Sequence, residues 1–351
     1  MGFINILLFP LSLIYQFVMY VRNRLFDAGW LKVHTIPNLF VINVGNLRVG
    51  GTGKTPVTEM LIHILSPKFR VAVLSRGYGR KTKGFLEVKA TDNSSMTGDE
   101  PLQICRKFKG SVRVFVCEDR VQGAQKLKEM YPDIQVLLLD DAYQHRYIDR
   151  QLNILLSAFS QPFYNDTVLP SGRLRESRYG AKRADMVLMT KCPTGLGQTA
   201  MEDQVKAIKR YTTADTLIFW TGWKYDQLVG ITGENTAFPE NALVITGIAD
   251  PKDMLEHLKQ KTRVIGHLKY PDHHNFSRKD IENIELWLRE KAGNHGSFSI
   301  ITTEKDMMRL QSEWPEAVKK WPICYLLARQ VLLNQKENFE KRLIDTIIAK
   351  I

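Results

Sequence analysis

A glycine-rich segment, VGNLRVGGTGKTP at residues 44–56, constrains the fold of this chain more than any other feature. An apolar run at 39–44 leads into it, and a helix-like stretch begins at Lys54. In a strand–loop–helix unit of this kind, backbone N–H groups and the helix N-terminus face an anion. The pattern therefore predicts a phosphate loop for a nucleotide. Its residues are Gly50, Gly51, Thr52, Gly53, Lys54 and Thr55.

Two side chains of this loop carry specific chemistry. Lys54 is expected to reach the β- and γ-phosphates of a nucleotide, and the Thr55 hydroxyl to bind Mg²⁺. Arg48 replaces the first glycine of the usual motif, so a glycine-rich turn without a ligand is the alternative. The preceding strand and the following helix, with its apolar stripe from Val57 to Leu65, favour the phosphate loop.

Composition limits the partners and the compartment. The chain has 351 residues and a formal net charge of +12, which favours an anionic partner. Nucleic acid, an anionic bilayer surface and a phosphorylated substrate all satisfy that charge. The four cysteines are dispersed without a CxxC pair, which argues against a disulfide framework and a structural zinc site.

The first residues form a separate hydrophobic segment. No charged residue occurs from Phe3 to Val21, and Arg22 and Arg24 follow. A cleaved signal peptide would carry its positive charges first, so we exclude one. The run has about the length that spans a bilayer, but Pro10 interrupts it. Its polar residues fall on one helical stripe, namely Asn5, Ser12, Gln16 and Asn23.

This stripe predicts an amphipathic helix that lies in or dips into a membrane interface, with its arginines at the headgroups. Basic residues on its C-terminal side keep the following domain cytoplasmic. The alternative is a helix packed on the protein's own core. We expect residues 1–34 to form an N-terminal hydrophobic membrane-associating helix.

Strand-like and helix-like segments alternate beyond this helix, which predicts an α/β fold with a doubly wound, mostly parallel sheet of the P-loop NTPase type. Candidate strands, rich in Val, Ile and Leu, are 39–44, 71–75, 112–117, 134–139, 152–157 and 185–190. A polar stretch at 221–241 predicts a hinge. Four more strands follow at 242–249, 263–268, 297–306 and 322–328. We expect a nucleotide-binding core at 35–230 and a smaller second α/β domain at 231–351.

Charged side chains follow some of the candidate strands. Asp140 and Asp141 end an apolar strand, where a carboxylate would hold Mg²⁺ or its water, and a solvated turn is the alternative. In PSGRLRESR at 170–178, the arginines and Glu176 would clamp phosphate and complete a metal shell. A solvated basic loop is the alternative there.

Two further motifs suit proton transfer. In TGDEP at 97–101, Asp99 or Glu100 either caps a helix starting at Pro101 or accepts a proton from a hydroxyl acceptor. In PDHHNF at 271–276, at most one of the two adjacent histidines is expected to be catalytic, and an exposed turn is the alternative. A zinc site is disfavoured, because no second ligand pair has a suitable spacing.

The sequence argues against two classes of nucleotide-binding protein. Membrane-recruited ATPases carry a lysine directly before the glycine pair, where this chain has Val49. GTPases usually read guanine with an Asn/Thr-Lys-x-Asp element after a late strand. The segment Thr190-Lys191-Cys192-Pro193 has the position of that element without its aspartate.

Taken together, the motifs resemble the tetraacyldisaccharide 4'-kinase family of lipid A biosynthesis. In chain order they are VGNLRVGGTGKTP at 44–56, LSRGYGR at 74–80, GDEP at 98–101, DDAYQH at 140–145, PSGRLRE at 170–176, PDHHNF at 271–276 and TTEKD at 302–306. They keep the family's order and reach almost to the C-terminus. Ala142 and Tyr143 stand where the family often has Gly-Phe, which leaves the carboxylate positions intact.

The resemblance implies a monotopic kinase on the cytoplasmic face of a Gram-negative inner membrane. It would transfer the γ-phosphate of ATP to the 4'-hydroxyl of a lipid disaccharide 1-phosphate, with ATP and Mg²⁺ as cofactors. A P-loop core and a smaller domain would be joined by a hinge and close over the nucleotide. The partners would be the lipid substrate and the anionic membrane surface, without nucleic acid, and we expect a monomer.

The same resemblance implies roles for individual residues. Asp99 would take the hydroxyl proton, paired with His273 rather than His274 of the second domain. Lys54 and Arg175 would act on the phosphates. The expected metal ligands are Thr55, Asp140, Asp141 and Glu176, and the residues expected to border the acceptor are Arg76, Gln144 and His145.

Three other functions remain open from the sequence. A membrane-associated P-loop kinase with a different acceptor would differ only in its acceptor profile. A nucleotide-dependent switch or partitioning ATPase would dimerise with nucleotide and form no phosphorylated product, and Val49 counts against it. A nucleic-acid binder rests on the net charge alone.

Overall fold

The computed structural model describes residues 7–193, 195–248, 250–272, 274–295 and 298–351. The chain forms two compact units. The first extends to Trp223 and also includes Gln330–Ile351, and the second comprises Lys224–Arg329. The chain passes from one unit to the other within two strands, Leu217–Gly230 and Ile323–Leu332.

The C-terminal segment differs from the expected domain boundary, which assigned it to the second domain. Its helix Lys336–Ile348 belongs to the first unit, where Phe339 and Leu343 are fully buried in the hydrophobic core. The Phe339 ring meets Phe219 edge-on, with ring centroids 5.0 Å apart. Burial of this apolar face therefore decides where the segment packs.

The bounds of the regular elements are as follows. The strands are β1 Phe40–Asn46, β2 Val71–Ser75, β3 Leu86–Glu87, β4 Arg113–Val116, β5 Val136–Asp140, β6 Leu152–Ala158, β7 Met186–Thr190, β8 Leu217–Gly230, β9 Asn235–Thr236, β10 Asn241–Thr246, β11 Arg263–Lys269, β12 Phe298–Thr303 and β13 Ile323–Leu332. The α-helices are α1 Phe9–Asp27, α2 Lys54–Leu65, α3 Ser94–Thr97, α4 Asp99–Lys107, α5 Arg120–Met130, α6 Gln198–Lys209, α7 Lys252–Lys259, α8 Arg278–His295, α9 Glu304–Glu313, α10 Pro315–Val318 and α11 Lys336–Ile348. Short 3₁₀ helices cover Phe163–Asn165 and Arg178–Arg183.

The sheet of the first unit has the strand order β8-β7-β6-β1-β5-β2-β4-β3. Neighbouring strands pair in parallel, except β3 and β4, which are antiparallel. Strand β1 lies between β5 and β6, so the winding reverses there and a crevice opens at the carboxyl ends of the strands. The predicted doubly wound, mostly parallel α/β fold is confirmed, and the phosphate loop and Asp140 lie at this edge.

Both faces of this sheet are covered. Every residue of β1 is buried, and its side chains alternate between two hydrophobic clusters. Ile42 and Val44 pack with α2 on one face, and Val41 packs on the other. This burial on both faces explains why the strands read as apolar runs without a polar side.

The second unit contains a smaller parallel sheet, in the order β11-β10-β12-β13. The strand predicted at 297–306 ends earlier, because Thr303 caps α9 by accepting a hydrogen bond from the backbone N–H of Asp306 at 3.1 Å. The stretch predicted as a hinge, 221–241, includes most of β8, which is 14 residues long. Its polar side chains suggested a hinge, although most of the segment is an extended strand.

Helix α1 packs on the first unit through polar residues of the predicted stripe. Ser12 is buried, and its hydroxyl accepts a hydrogen bond from the backbone N–H of Ser171 at 2.9 Å. The Asn23 amide donates to Glu176 at 2.9 Å. Pro10 lies in the first turn of α1, where its missing N–H is tolerated, so it begins the helix rather than interrupting it.

The outward surface of α1 is apolar. Its exposed side chains include Phe9, Leu11, Leu13, Ile14, Phe17, Val18, Tyr20 and Val21. Gln16 is also exposed, and Asn5 lies outside the described residues. Within the described part of the chain, we find no helix whose length and apolar character suffice to cross a membrane.

Candidate active site

The phosphate loop is shaped by its own backbone and by a neighbouring strand. Gly50 and Gly53 have φ values of 114° and 83°, in the left-handed region that favours glycine. The Asn46 amide donates to the Thr52 hydroxyl at 2.6 Å. The Thr190 hydroxyl, at the end of β7, donates to the Thr52 carbonyl at 2.7 Å. These bonds fix the loop between β1 and α2.

The 170–178 segment lies directly beside this loop. The backbone N–H of Val49 donates to the Arg173 carbonyl at 2.7 Å, and that of Arg175 donates to Leu47 at 2.7 Å. Arg48 forms an ion pair with Asp166 at 2.6 Å. Arg48, which replaces the first glycine of the usual motif, therefore helps to hold the neighbouring segment in place.

The two aspartates after β5 have opposite electrostatic surroundings. Asp140 is 1% exposed, and burial together with the nearby Glu100 raises its pKa to about 8. Burial would also raise the pKa of Asp141, but Lys54 and Arg175 outweigh it and lower that pKa below its usual value. The structure thus places a carboxyl group with a raised pKa beside one with a lowered pKa.

Asp141 forms ion pairs with two cations, one in the phosphate loop and one in the 170–178 segment. Lys54 Nζ lies 3.7 Å from Asp141 Oδ2. The Arg175 guanidinium donates to both carboxylate oxygens of Asp141, at 2.7 and 3.1 Å. Asp141 has a φ of 52°, which aims its side chain back toward the phosphate loop. Lys54 and Arg175 are therefore held side by side at the edge where phosphates would bind.

Glu176 is a buried junction of hydrogen bonds. Its carboxylate accepts from Asn23 of α1 at 2.9 Å, from Gln144 at 3.1 Å and from Arg183 at 2.8 Å. Both oxygens are thereby engaged by side chains. Glu176 connects the N-terminal helix to the loop after β5.

The residues expected to border the acceptor lie on two loops of this edge. Gln144 donates to the Asn46 carbonyl at 2.9 Å as well as to Glu176, so it braces the phosphate loop. Burial and the nearby Arg120 lower the pKa of His145 to about 4, which keeps its imidazole neutral at pH 7. Arg76 is an exposed cation directly after β2.

Arg120 was not identified by the sequence analysis. It is 4% exposed at the start of α5, and it donates to the Glu118 carbonyl at 2.7 Å and to the Asp141 carbonyl at 3.4 Å. Burial and Arg76 lower its pKa. The sequence contained a signal for Arg120. Asp119 caps α5 after the carboxyl end of β4, so the next residue lies at the carboxyl edge of the sheet.

Asp99 begins α4. Gly98 occupies the N-cap position with a φ of 90°, so Asp99 and Glu100 lie in the first turn rather than capping a helix that starts at Pro101. The helix N-terminus favours negative charge there. Glu100 is near enough to Asp140 to raise its pKa.

A buried ion pair ties α4 to α2. Glu59 of α2 accepts from Lys107 at 2.8 Å and from Gln103 at 2.9 Å. The side chains of Glu59 and Lys107 are only 9% and 13% exposed. The helix that begins with Asp99 is thereby fixed to the helix that begins with Lys54.

We expect Glu59→Ala to lower the free energy of unfolding by about 3 kcal/mol, because it removes the carboxylate of a mostly buried ion pair. Denaturant unfolding followed by tryptophan fluorescence measures this. Glu316→Ala is the matched control, since its pair with Lys319 lies on the surface and its loss should leave the midpoint unchanged. Equal midpoints for the two variants would contradict the expectation.

The second unit holds His274 in a structural setting. Its Nε2 lies 2.9 Å from Asp280 Oδ2, and its ring stacks on Tyr270 with centroids 4.7 Å apart. Phe276 packs against the ring edge-on. His273 lies outside the described residues. Across the described part of the chain, no group of three His, Cys, Asp or Glu side chains is placed to hold a metal ion.

Comparisons with known proteins agree with this geometry. The family described as Tetraacyldisaccharide-1-P 4'-kinase matches residues 4–348. Tetraacyldisaccharide 4'-kinase from Flavobacterium psychrophilum is 40% identical over 351 residues, covering 99% of this chain and 98% of that protein. The protein of that name from Cytophaga hutchinsonii is 41% identical over 312 residues, covering 88% and 86%.

A solved structure extends the similarity to the fold. The crystal structure of "apo" form LpxK from Aquifex aeolicus, in complex with ATP, matches with a TM-score of 0.75 and 28% sequence identity. The match covers 98% of this chain and 99% of that one. Both compact units of this chain are therefore included.

Proposed function

The chain belongs to the tetraacyldisaccharide-1-P 4'-kinase family, and on that basis we propose that it transfers the γ-phosphate of ATP to the 4'-hydroxyl of a tetraacyldisaccharide 1-phosphate. The observation that carries this proposal is the array of Lys54, Asp141 and Arg175 beside the phosphate loop. The hydroxyl oxygen forms a bond to the γ-phosphorus, the bond from that phosphorus to the bridging oxygen breaks, and ADP leaves with the electron pair.

The nucleotide is held by Gly50 to Thr55. Backbone N–H groups of the loop and the N-terminus of α2 face the phosphates, and Lys54 neutralises charge on the β- and γ-phosphates. Arg175 contacts the same carboxylate of Asp141 as Lys54. Its bidentate contact with that carboxylate orients the guanidinium before phosphate binds, which reduces the reorganisation required in the transition state.

Mg²⁺ fits two oxygen donors of this edge, the Thr55 hydroxyl and the Asp140 carboxylate. Asp140 Oδ1 is buried and has no hydrogen-bond partner among the described residues, and a hard cation would satisfy such an oxygen. The ion would neutralise charge on the β- and γ-phosphate oxygens. Asp141 and Glu176 support this site from outside, because their oxygens already accept bonds from Arg175, Asn23, Gln144 and Arg183.

Proton removal is assigned to Asp99, assisted by His273. Asp99 lies on a helix fixed to the phosphate-loop helix, so its position relative to Lys54 is maintained. His274 is engaged by Asp280 and Tyr270, which supports His273 as the partner histidine. A base that is complete only when substrate is bound limits ATP hydrolysis by water.

The acceptor carries a phosphate, and Arg76 offers it a cation directly after β2. Arg76 is exposed, and neutral His145 can donate or accept a hydrogen bond without a charge penalty. We assign both to contacts with the lipid disaccharide, while Gln144, next to His145 in the chain, braces the phosphate loop through the Asn46 carbonyl.

The outward face of α1 is assigned to the anionic surface of the inner membrane, on its cytoplasmic side. Phe17 is 65% exposed, and the polar residues that hold α1 on the protein lie on its other side. A helix with this arrangement lowers its free energy by burying apolar side chains among the acyl chains while the exposed Arg24 meets headgroup phosphates. Arg22, also expected at the headgroups, instead donates to the Gln144 carbonyl at 2.9 Å.

Phe17→Asp is expected to weaken binding to vesicles that contain anionic lipid by about thirtyfold, since burial of one large apolar side chain contributes about 2 kcal/mol. Co-sedimentation with such vesicles measures it. Gln16→Asp is the matched control, because it adds the same charge to the same helix without removing an apolar side chain. Unchanged vesicle binding by Phe17→Asp would contradict the assignment, as would an equal loss of ATP affinity.

The proposed function is tested by transfer of labelled γ-phosphate from ATP to tetraacyldisaccharide 1-phosphate in mixed micelles. A labelled lipid is expected. Intact ATP binding without a labelled lipid would instead support a kinase with another acceptor. Nucleotide-driven dimerisation without any phosphorylated product would support a switch.

A further inference from the structure

We propose that Lys191 contacts the nucleoside half of ATP, as a second lysine at the phosphate loop. The inference rests on the proposed function for its choice of nucleotide. It arises from a segment, Thr190-Lys191-Cys192-Pro193, that the reaction described above does not use.

Lys191 is held firmly at the carboxyl end of β7. Its φ is 55°, a left-handed conformation that is uncommon outside glycine and persists where the surroundings fix it. The backbone is anchored on both sides. Phe159 donates to the Thr190 carbonyl at 2.9 Å, and Cys192 donates to the Thr221 carbonyl at 3.0 Å. The direction of the lysine side chain is therefore determined by the sheet.

That side chain reaches the phosphate loop. Lys191 Nζ lies 3.8 Å from the position that a Cβ on Gly51 would occupy. Thr190 approaches the same loop, 3.7 Å from the corresponding position at Gly53. Two consecutive residues of the β7 edge thus approach two glycines of the loop. The ammonium of this half-buried lysine therefore lies at the β7 side of the phosphate loop.

The strand order indicates which part of the nucleotide Lys191 meets. Strand β1 has β5 on one side and β6 and β7 on the other. The groups that act on the γ-phosphate, including Asp141, lie on the β5 side and pair with Lys54. The remainder of the nucleotide must then extend toward β6 and β7. Lys191 is placed there, with an ammonium for ribose oxygens and a four-carbon stem for the face of the base.

The missing aspartate is consistent with this role. Pro193 occupies the position at which a guanine-reading element carries its carboxylate. The segment therefore retains the lysine but has no group placed to read the Watson–Crick edge of guanine. A contact with the ribose and the face of the base needs only the lysine.

The experiment compares ATP with inorganic tripolyphosphate as ligands of the full-length protein, without lipid. For Lys191→Ala, we expect the Kd of ATP to rise about tenfold, as for loss of one hydrogen bond to a charged group. The Kd of tripolyphosphate should change less than about twofold, because that ligand lacks a nucleoside. Lys191→Arg should restore most of the ATP affinity. Lys206→Ala is the matched control, since Lys206 is an exposed lysine of α6 in the same unit.

Two results would overturn the assignment. An unchanged Kd of ATP for Lys191→Ala would exclude the contact. An equal loss of affinity for ATP and tripolyphosphate would mean that Lys191 only shapes the loop. Because binding is measured without an acceptor, failure of lipid phosphorylation would count against the proposed function and leave this inference standing.

Discussion

Lys54→Ala is expected to reduce kcat for phosphate transfer by about 10³-fold, the effect of removing a preorganised charged donor from a phosphoryl-transfer site. Lys54 begins α2 and lies 3.7 Å from Asp141, so its ammonium is positioned before ATP binds. Transfer of labelled γ-phosphate at saturating ATP and lipid measures the change in kcat. The variant should fold normally, because Asp141 keeps its bidentate contact with Arg175.

Lys206→Ala provides the matched control for this variant as well. It removes one lysine from an exposed helix face, where its pair with Asp203 is largely in solvent. Its kcat should equal that of the wild type. A Lys54→Ala protein that retains more than about a tenth of the wild-type kcat would contradict the assigned role.

Asp99→Asn and His273→Ala are each expected to lower kcat by about 10² to 10⁴-fold, the range contributed by general base catalysis. Asparagine retains the shape of Asp99 but cannot accept the hydroxyl proton. The double variant should lose little more than either single variant, because two residues that act as one unit are not additive. Single-turnover transfer from ATP to the lipid acceptor separates this chemical step from product release.

His274→Ala is the control for the histidine assignment. Its ring is bonded to Asp280 and stacked on Tyr270, so we expect a loss of stability with kcat close to that of the wild type. Near wild-type turnover of both Asp99→Asn and His273→Ala would exclude the pair as the base. A large loss of kcat for His274→Ala alone would transfer the role to that residue.

Much of the fold could be predicted because its signals are local. The apolar runs at 39–44 and 71–75 correspond to β1 and β2, with limits within two residues. Strands buried on both faces must be apolar throughout, so the chain displays them directly. Strand β8 was missed, because only part of it is buried and its polar residues resemble a loop.

Helix α1 illustrates a pattern that local reasoning interpreted only in part. Two members of the predicted polar stripe, Ser12 and Asn23, face the protein, whereas Gln16 is exposed. A stripe shows which residues lie together. Which side meets the protein depends on hydrogen-bond partners such as Glu176, and these come from distant parts of the chain.

The position of the phosphate loop could be predicted from the sequence alone. Such a loop requires a lysine, a threonine and glycines within a few residues of one another, and two of these glycines adopt positive φ. Three features followed only from the tertiary structure. They are the different pKa values of Asp140 and Asp141, the side chains that bond to Glu176, and the approach of Lys191 to Gly51. The physical reason is the separation along the chain between the residues that set each property. Backbone conformation and strand burial are set by neighbouring residues, whereas pKa values and hydrogen-bond partners depend on groups that only the packed sheet brings together.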